Sequence, residues 1–426
     1  MGITKSLAKL KNLIFHKRSS VTTFIQEIML FYLLVWSVSP PLCVDEIFRI
    51  IALGCAVGWM VLSSVNGTLR MDKIHKLALV FVLLIMIIAL IEFKMDFSML
   101  VKLISYYMLV LAFIINHSYE KRWNELLPMI LFCMLLLIIF NLITFKELMV
   151  DSSLARRIAK SDETLYSYMR RGVGGYSLIY TQVILFPVIV LWTIKSFSKH
   201  KIYFAFGAVW IVSYLMFIMK AGYSIAIVTS VISLIILAFY RRKSFIPALF
   251  VSLAVVVLLV WLIGYVEPVR EFLLRLFNGT TIAKKINDIY NSIHGAETAD
   301  SIESRIIRYL ASLRTIVRYP LIGSLWFDSG GGHSMILDTF AKYGVWGGLL
   351  YVNMLYCVPI YIKKNITDIR DHRIANSLIV SLVMVTVLDS VSYEMIFPIL
   401  IMIPVLLSEI YSWRTKADAL SAGQEG

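Results

Sequence analysis

Long apolar blocks dominate this chain, and they restrict its fold more than any other feature. Residues 77–92 read LALVFVLLIMIIALIE, and similar stretches recur along the sequence. Each approaches the roughly 20 residues that a helix needs to cross the hydrocarbon core of a bilayer. Inside that core every backbone polar group must be satisfied within the protein, so only helices and closed barrels cross it. Continuous rather than alternating apolar runs select helices. The composition agrees: 59% of residues are hydrophobic and 16% charged, where soluble domains carry about 25% charged residues. The mean hydropathy is +0.80. The expected fold class is an all-α polytopic integral membrane protein, a single transmembrane domain over 1–426 with about twelve spans. They centre on 21–38, 47–65, 77–92, 98–116, 126–143, 176–194, 202–219, 222–240, 246–265, 344–362, 374–391 and 395–412. The short gaps at 93–97 and 219–221 are either turns or kinks.

Cys43, Cys55, Cys133 and Cys357 show no metal or redox spacing, and no disulfide framework is expected. The first apolar block ends in SVSPPLC, without a small-residue cleavage site, so it reads as an uncleaved start-transfer helix.

Lysine and arginine in short loops orient such a chain. With the N-terminus cytoplasmic, the tails and loops of that side hold 22 basic residues, while the short loops opposite hold Arg49, Lys94 and Lys220 at most. Both termini are therefore expected in the cytoplasm. Two long loops, 144–175 and 266–340, face the other side with six and eight basic residues. Long loops translocate despite positive charge, but their charge needs its own cause.

The first outer loop contains SSLARRIAKSDETLYSYMRRGVGGYS, with the pairs Arg156–Arg157 and Arg170–Arg171 and with Gly172, Gly174 and Gly175 before the next span. Arginine matches phosphate oxygens two at a time, and glycines let backbone N–H groups approach an anion. An anion site and a plain headgroup-contacting loop are equally compatible with these residues. The second loop contains DSIESRIIRYLASLRTIVRYP, which predicts a helix over 300–319. Asp300 and Glu303 have capping-box spacing, and Pro320 stops the helix. Ile302, Ile306, Leu310, Leu313 and Val317 fall on one face, flanked by Arg305 and Arg308 on one side and Arg314 and Arg318 on the other. Such a basic amphipathic helix either lies on the bilayer or holds a lipid-linked phosphate near its surface.

The run GGGHSMILDTF follows. Of seven histidines only His294 and His333 fall on the outer side. His294 sits in a polar stretch that reads as loop. His333 stands next to the membrane, near Asp328 and Asp338. Its imidazole suits a general base or a hydrogen-bond donor, although a histidine at a helix start is more often structural. No metal-ligand spacing occurs in the outer loops, and no metal is expected. Glu27, Glu92, Asp389 and Glu394 lie within or near the outer half of spans, where acids are functional candidates. Trp326, Tyr343 and Trp346 read as interface anchors. No internal repeat, P-loop or dinucleotide fingerprint is found, and no nucleic-acid partner is expected.

These residues resemble the O-antigen polymerase and ligase superfamily. The resemblance rests on Arg305 in a loop helix, Pro320 and Gly323, His333 followed by Ser334 (asparagine is commoner there), and Gly344 and Gly347 in the next apolar block. It covers about 300–350 closely, and the rest by topology. RRGVGGY before the sixth span resembles the polymerase branch. The resemblance implies a glycosyltransferase working on undecaprenyl-pyrophosphate-linked oligosaccharide at the periplasmic face of a bacterial inner membrane, with neither metal nor cofactor. His333 and Arg305 would then be catalytic, and Arg170, Arg171, Arg308 and Arg314 would bind pyrophosphate or glycan. A polysaccharide chain-length regulator is an implied partner. Polymerase, ligase to lipid A–core, and lipid-linked oligosaccharide flippase are the competing functions. A flippase would place cations within its spans, and here only Lys102 lies well inside one.

Overall fold

The computed structural model describes residues 21–66, 69, 73–93, 104–119, 122–151, 154, 163–240, 246–278, 281–294, 300–325, 331–364, 372–389 and 395–422. No strand occurs among the described residues. Among the described residues the apolar blocks are helical, and six of their helices are long and apolar enough to cross a membrane: Val21–Val38, Glu46–Val65, Trp123–Val150, Tyr176–Ser196, Lys201–Ala221 and Ile246–Tyr265. Shorter apolar helices lie at Leu79–Ile88, Ser224–Phe239, His372–Leu388 and Ile396–Ser412. The chain is a membrane-embedded helical protein.

Tyr176–Ser196 is the most enclosed of the six long helices. It packs against Lys201–Ala221, Ser224–Phe239, His372–Leu388 and Ile396–Ala422. Ile246–Tyr265 is peripheral, with Phe250, Leu253, Val257 and Trp261 turned outward, the surface a lipid-facing helix presents. Three polar side chains inside the bundle pair with one another. Gln182 Nε2 donates to Asn141 Oδ1 at 2.8 Å, and Asn141 Nδ2 donates back to Gln182 Oε1 at 2.8 Å and to Ser213 Oγ at 3.2 Å. This pins three helices in register, because an unpaired amide in an apolar interior is costly.

Side-chain pairs separate the two ends of the bundle. At one end Gln26 donates to Ser63 Oγ and Asn66 to Gln26, Glu27 lies within charge range of Arg122 and Glu125, and Ser408 donates to Asn124. At the other, Arg170 faces Asp45 at 3.7 Å, and Tyr180 reaches Asp389. Glu27 thus sits at the Arg122 end. It does not share the Asp389 end that the sequence reading assigned to both.

The 219–221 gap is a turn: Lys201–Ala221 ends at Gly222, and a new helix starts at Ser224. The 93–97 gap lies partly outside the described residues. The two long segments expected to face outward are largely helical among the described residues. Leu127–Val150 runs seven residues beyond the expected span, and Glu163–Arg170 follows it. Between Tyr265 and the next span come Glu267–Leu276, Thr281–Ile293 and Asp300–Arg318. The first two were not expected, although Pro268 at a helix start and the pairs Glu267–Arg270 and Glu271–Arg275 are helix signals.

Met335–Lys364 is two helices meeting at Gly344, where φ is 65° and ψ is −167°. The 320–325 turn docks onto this break. Val345 N–H donates to Pro320 O at 2.8 Å, Ser324 N–H to Ala341 O at 2.8 Å, and Leu325 N–H to Lys342 O at 2.9 Å. A Cβ on Gly344 would overlap the Leu321 carbonyl, and one on Gly323 the Gly344 nitrogen. Pro320, Gly323 and Gly344 therefore form one backbone-to-backbone contact.

Candidate active site

The Asp300–Arg318 helix, called here the loop helix, lies along Met335–Lys364. Ser312, 1% exposed, is the residue through which it grips the histidine loop. The Ser312 hydroxyl donates to Asp338 Oδ1 at 2.6 Å and accepts from Gly331 N–H at 2.8 Å. Asp338 also accepts from Gly332 N–H at 3.2 Å and Ser334 N–H at 3.0 Å. Ser334 caps the following helix, its hydroxyl accepting from Leu337 N–H at 3.3 Å. A Cβ at Gly331 would overlap the Arg308 carbonyl oxygen, so this glycine is demanded by the close approach of two backbones. Met335 N–H donates to the Asp389 carbonyl at 3.1 Å. His333 is thus held from both flanks by backbone bonds. Among the described residues no hydrogen bond reaches its ring.

Asp389 closes the far side. It ends the His372–Leu388 helix and is 6% exposed. Its carboxylate accepts the Tyr180 hydroxyl at 2.5 Å. Tyr180 stacks on Tyr176, ring centroids 5.8 Å apart, and Tyr176 packs against Tyr223 at 4.8 Å. Tyr309, from the loop helix, donates to Leu388 O at 2.8 Å. Arg305 hydrogen-bonds the Tyr309 phenol and lies close enough to Tyr180 and His333 for its charge to act on both.

Burial lowers the His333 pKa below the ordinary histidine range, and the charges of Arg308 and Arg305 lower it further. Asp389 and Asp338 pull the other way without prevailing. The imidazole is therefore held neutral beside two guanidinium groups, ready to accept a proton where negative charge can be stabilised.

Three of the expected site residues, His333, Arg305 and Arg308, come together. Arg314 follows Arg305 by nine residues, about half a turn round a helix with 3.6 residues per turn, and lies on the opposite face. Arg170 pairs with Asp45 at 3.7 Å with two thirds of its side chain exposed. Arg171 lies over the Tyr168 ring at 4.3 Å. Both stand at the end of Glu163–Arg170, a glycine turn away from Tyr176. Arg156, Arg157, Trp326, Asp328 and Glu394 lie outside the described residues. So do the side chains of Glu92, Asp300 and Glu303.

The chain matches no protein-family model, and no curated protein matches it.

Asp389 stood among several acids in the sequence, and nothing there singled it out. Tyr180, 209 positions away, looked like an ordinary apolar-block tyrosine. Among the described residues no group of three or more histidine, cysteine, aspartate or glutamate side chains is placed to hold a metal.

Proposed function

We propose that this chain is a membrane glycosyltransferase acting on lipid-linked glycan, and that it works as an O-antigen or related surface-polysaccharide polymerase. It would transfer the growing chain from undecaprenyl pyrophosphate to a new lipid-linked repeat unit. The observation that carries the reading is the neutral His333 beside Arg305 and Arg308. An acceptor hydroxyl attacks the anomeric carbon of the donor sugar, and the new glycosidic C–O bond forms. The bond from that carbon to the pyrophosphate oxygen breaks. The hydroxyl proton passes to His333, and the charge growing on the leaving pyrophosphate is met by Arg305 and Arg308. Arg170 and Arg171 would contact glycan or headgroup.

In this reading the apolar helices make about twelve spans of a bacterial inner membrane. Both termini are cytoplasmic, and the His333 end faces the periplasm. The lysine and arginine asymmetry of the short loops supports that orientation. A chain-length regulator would be a partner.

The test is deletion of the gene in its source strain, followed by electrophoresis of the surface polysaccharide. Loss of the ladder with survival of single-repeat forms supports the polymerase. Loss of every repeat unit from the surface overturns it and points to ligase or flippase. Complementation with His333→Ala then asks whether this site is responsible, with membrane insertion checked by immunoblot.

A further inference from the structure

The loop helix is docked with its polar side inward. Ser312 and Thr315, 1% and 3% exposed, face the protein with Arg305 and Tyr309, while the apolar stripe faces out. Ile306 is 53% exposed, Leu310 43%, Leu313 44% and Val317 81%. A helix free in water would bury this stripe. The protein has instead used the polar face for its internal hydrogen bonds, and leaves about three turns of aliphatic surface facing outward.

The stripe does not end with the helix. Leu321 and Ile322 extend it, also exposed. Their turn is tied to the start of the next span by the Val345 N–H to Pro320 O bond. Trp346, Leu349 and Val352 then carry an exposed apolar surface down that span. The outward face of the loop helix is thus continuous with the exposed apolar side of the helix after Gly344, which the sequence reads as a span. Tryptophan favours the boundary between headgroups and acyl chains, and Trp346 stands at the junction. Arg314 and Arg318 flank the stripe, where their stems can lie along apolar chains and their guanidinium groups among phosphates.

We propose that the outward face of the loop helix, formed by Ile306, Leu310, Leu313, Val317, Leu321 and Ile322, is immersed in the outer phospholipid leaflet, with Arg314 and Arg318 at the headgroup phosphates. The occupant is the bilayer itself. Arg305 and Arg308 then lie across the same helix from Arg314 and Arg318, at headgroup depth. Immersion does not depend on the enzymatic reading; the choice of the outer leaflet rests on the orientation proposed above.

The test uses the full chain in native membranes with its four cysteines unchanged. A benzoylphenylalanine photo-crosslinker is placed in turn at Leu313 and Val317, whose exposure spares the core, and at the exposed polar Asn287 as a control. After irradiation the intact protein is weighed by mass spectrometry and run on a denaturing gel. Phospholipid-mass adducts several-fold more abundant at 313 and 317 than at 287 are expected. A shift to a protein-sized adduct would overturn the proposal in favour of a second copy or another membrane protein. Yields no higher than at 287, in protein that still elutes as a folded peak, would show that the face meets water. As a second measurement, Leu313→Asp and Val317→Asp should each reduce the loop helix's protection from added protease several-fold in vesicles. Unchanged protection would overturn the proposal.

Discussion

The Tyr180 hydroxyl donates to the Asp389 carboxylate at 2.5 Å, joining the central helix of the bundle to the segment that receives the histidine loop. Removing the hydroxyl takes one donor from a buried carboxylate. Tyr180→Phe is expected to cost about 1–3 kcal/mol, the penalty for depriving a buried charged group of a partner. Thermal unfolding in detergent, followed with and without the substitution, checks this. An unchanged midpoint would mean that the pair contributes nothing to the fold.

The charges around His333 make a pH prediction with a definite sign. In the proposed mechanism activity needs the neutral ring, so the acid limb of the profile should follow the His333 pKa. Arg308 lowers that pKa, and Asp389 raises it. Arg308→Gln should move the acid limb to higher pH, and Asp389→Asn should move it to lower pH. Polymerisation measured across pH in membranes, at saturating lipid-linked substrate, reads the shift. Movement of both limbs in the same direction would contradict the assignment.

Arg305 and Arg314 share a helix but not a face, and in the proposed mechanism only Arg305 meets the developing charge. Arg305→Gln should lower turnover by about 10²- to 10³-fold, the scale of losing one donor to developing charge. Arg314→Gln should leave turnover within a few-fold of the unaltered protein. Equal losses at both positions would show that the two faces of the loop helix are not functionally distinct.

Gly344 sits in a region of backbone space that is essentially closed to side chains, and its neighbour Leu321 O occupies the space of a Cβ. Gly344→Ala is expected to cost about 1–3 kcal/mol of strain alone, with the overlap added. Limited proteolysis at 319–325 should accelerate. A variant as resistant as the parent would mean that the turn can dock without this break.

The helices were legible because apolar length is written directly in the sequence. LALVFVLLIMIIALIE has few alternatives to a buried or lipid-facing helix. The loop helix was legible too, from the spacing of Ile306, Leu310, Leu313 and Val317. Which of its faces docks was not, since an apolar stripe fits a protein core and a lipid leaflet equally well. Long-range bonds such as Ser312 to Asp338, 26 positions apart, and Tyr309 to Leu388 O, 79 apart, settle the choice, and pairing at those distances leaves no local pattern. The same holds for Tyr180 with Asp389. His333, Arg305 and Arg308 could be singled out because each is a rare residue type beside apolar chain. The helices Glu267–Leu276 and Thr281–Ile293 were passed over because their period is short and their composition polar.

The bonds that fasten the 331–335 segment run through its backbone N–H groups, to Ser312, Asp338 and the Asp389 carbonyl. Fastening is therefore carried by the backbone of the residues on either side of His333, and the His333 ring takes no part in it. Exchanging the ring at 333 changes the tool and leaves the mount in place. Altering Ser312 or Asp338 keeps the tool and moves the mount. A loss of activity can thus be traced to chemistry or to position by choosing which of the two is touched.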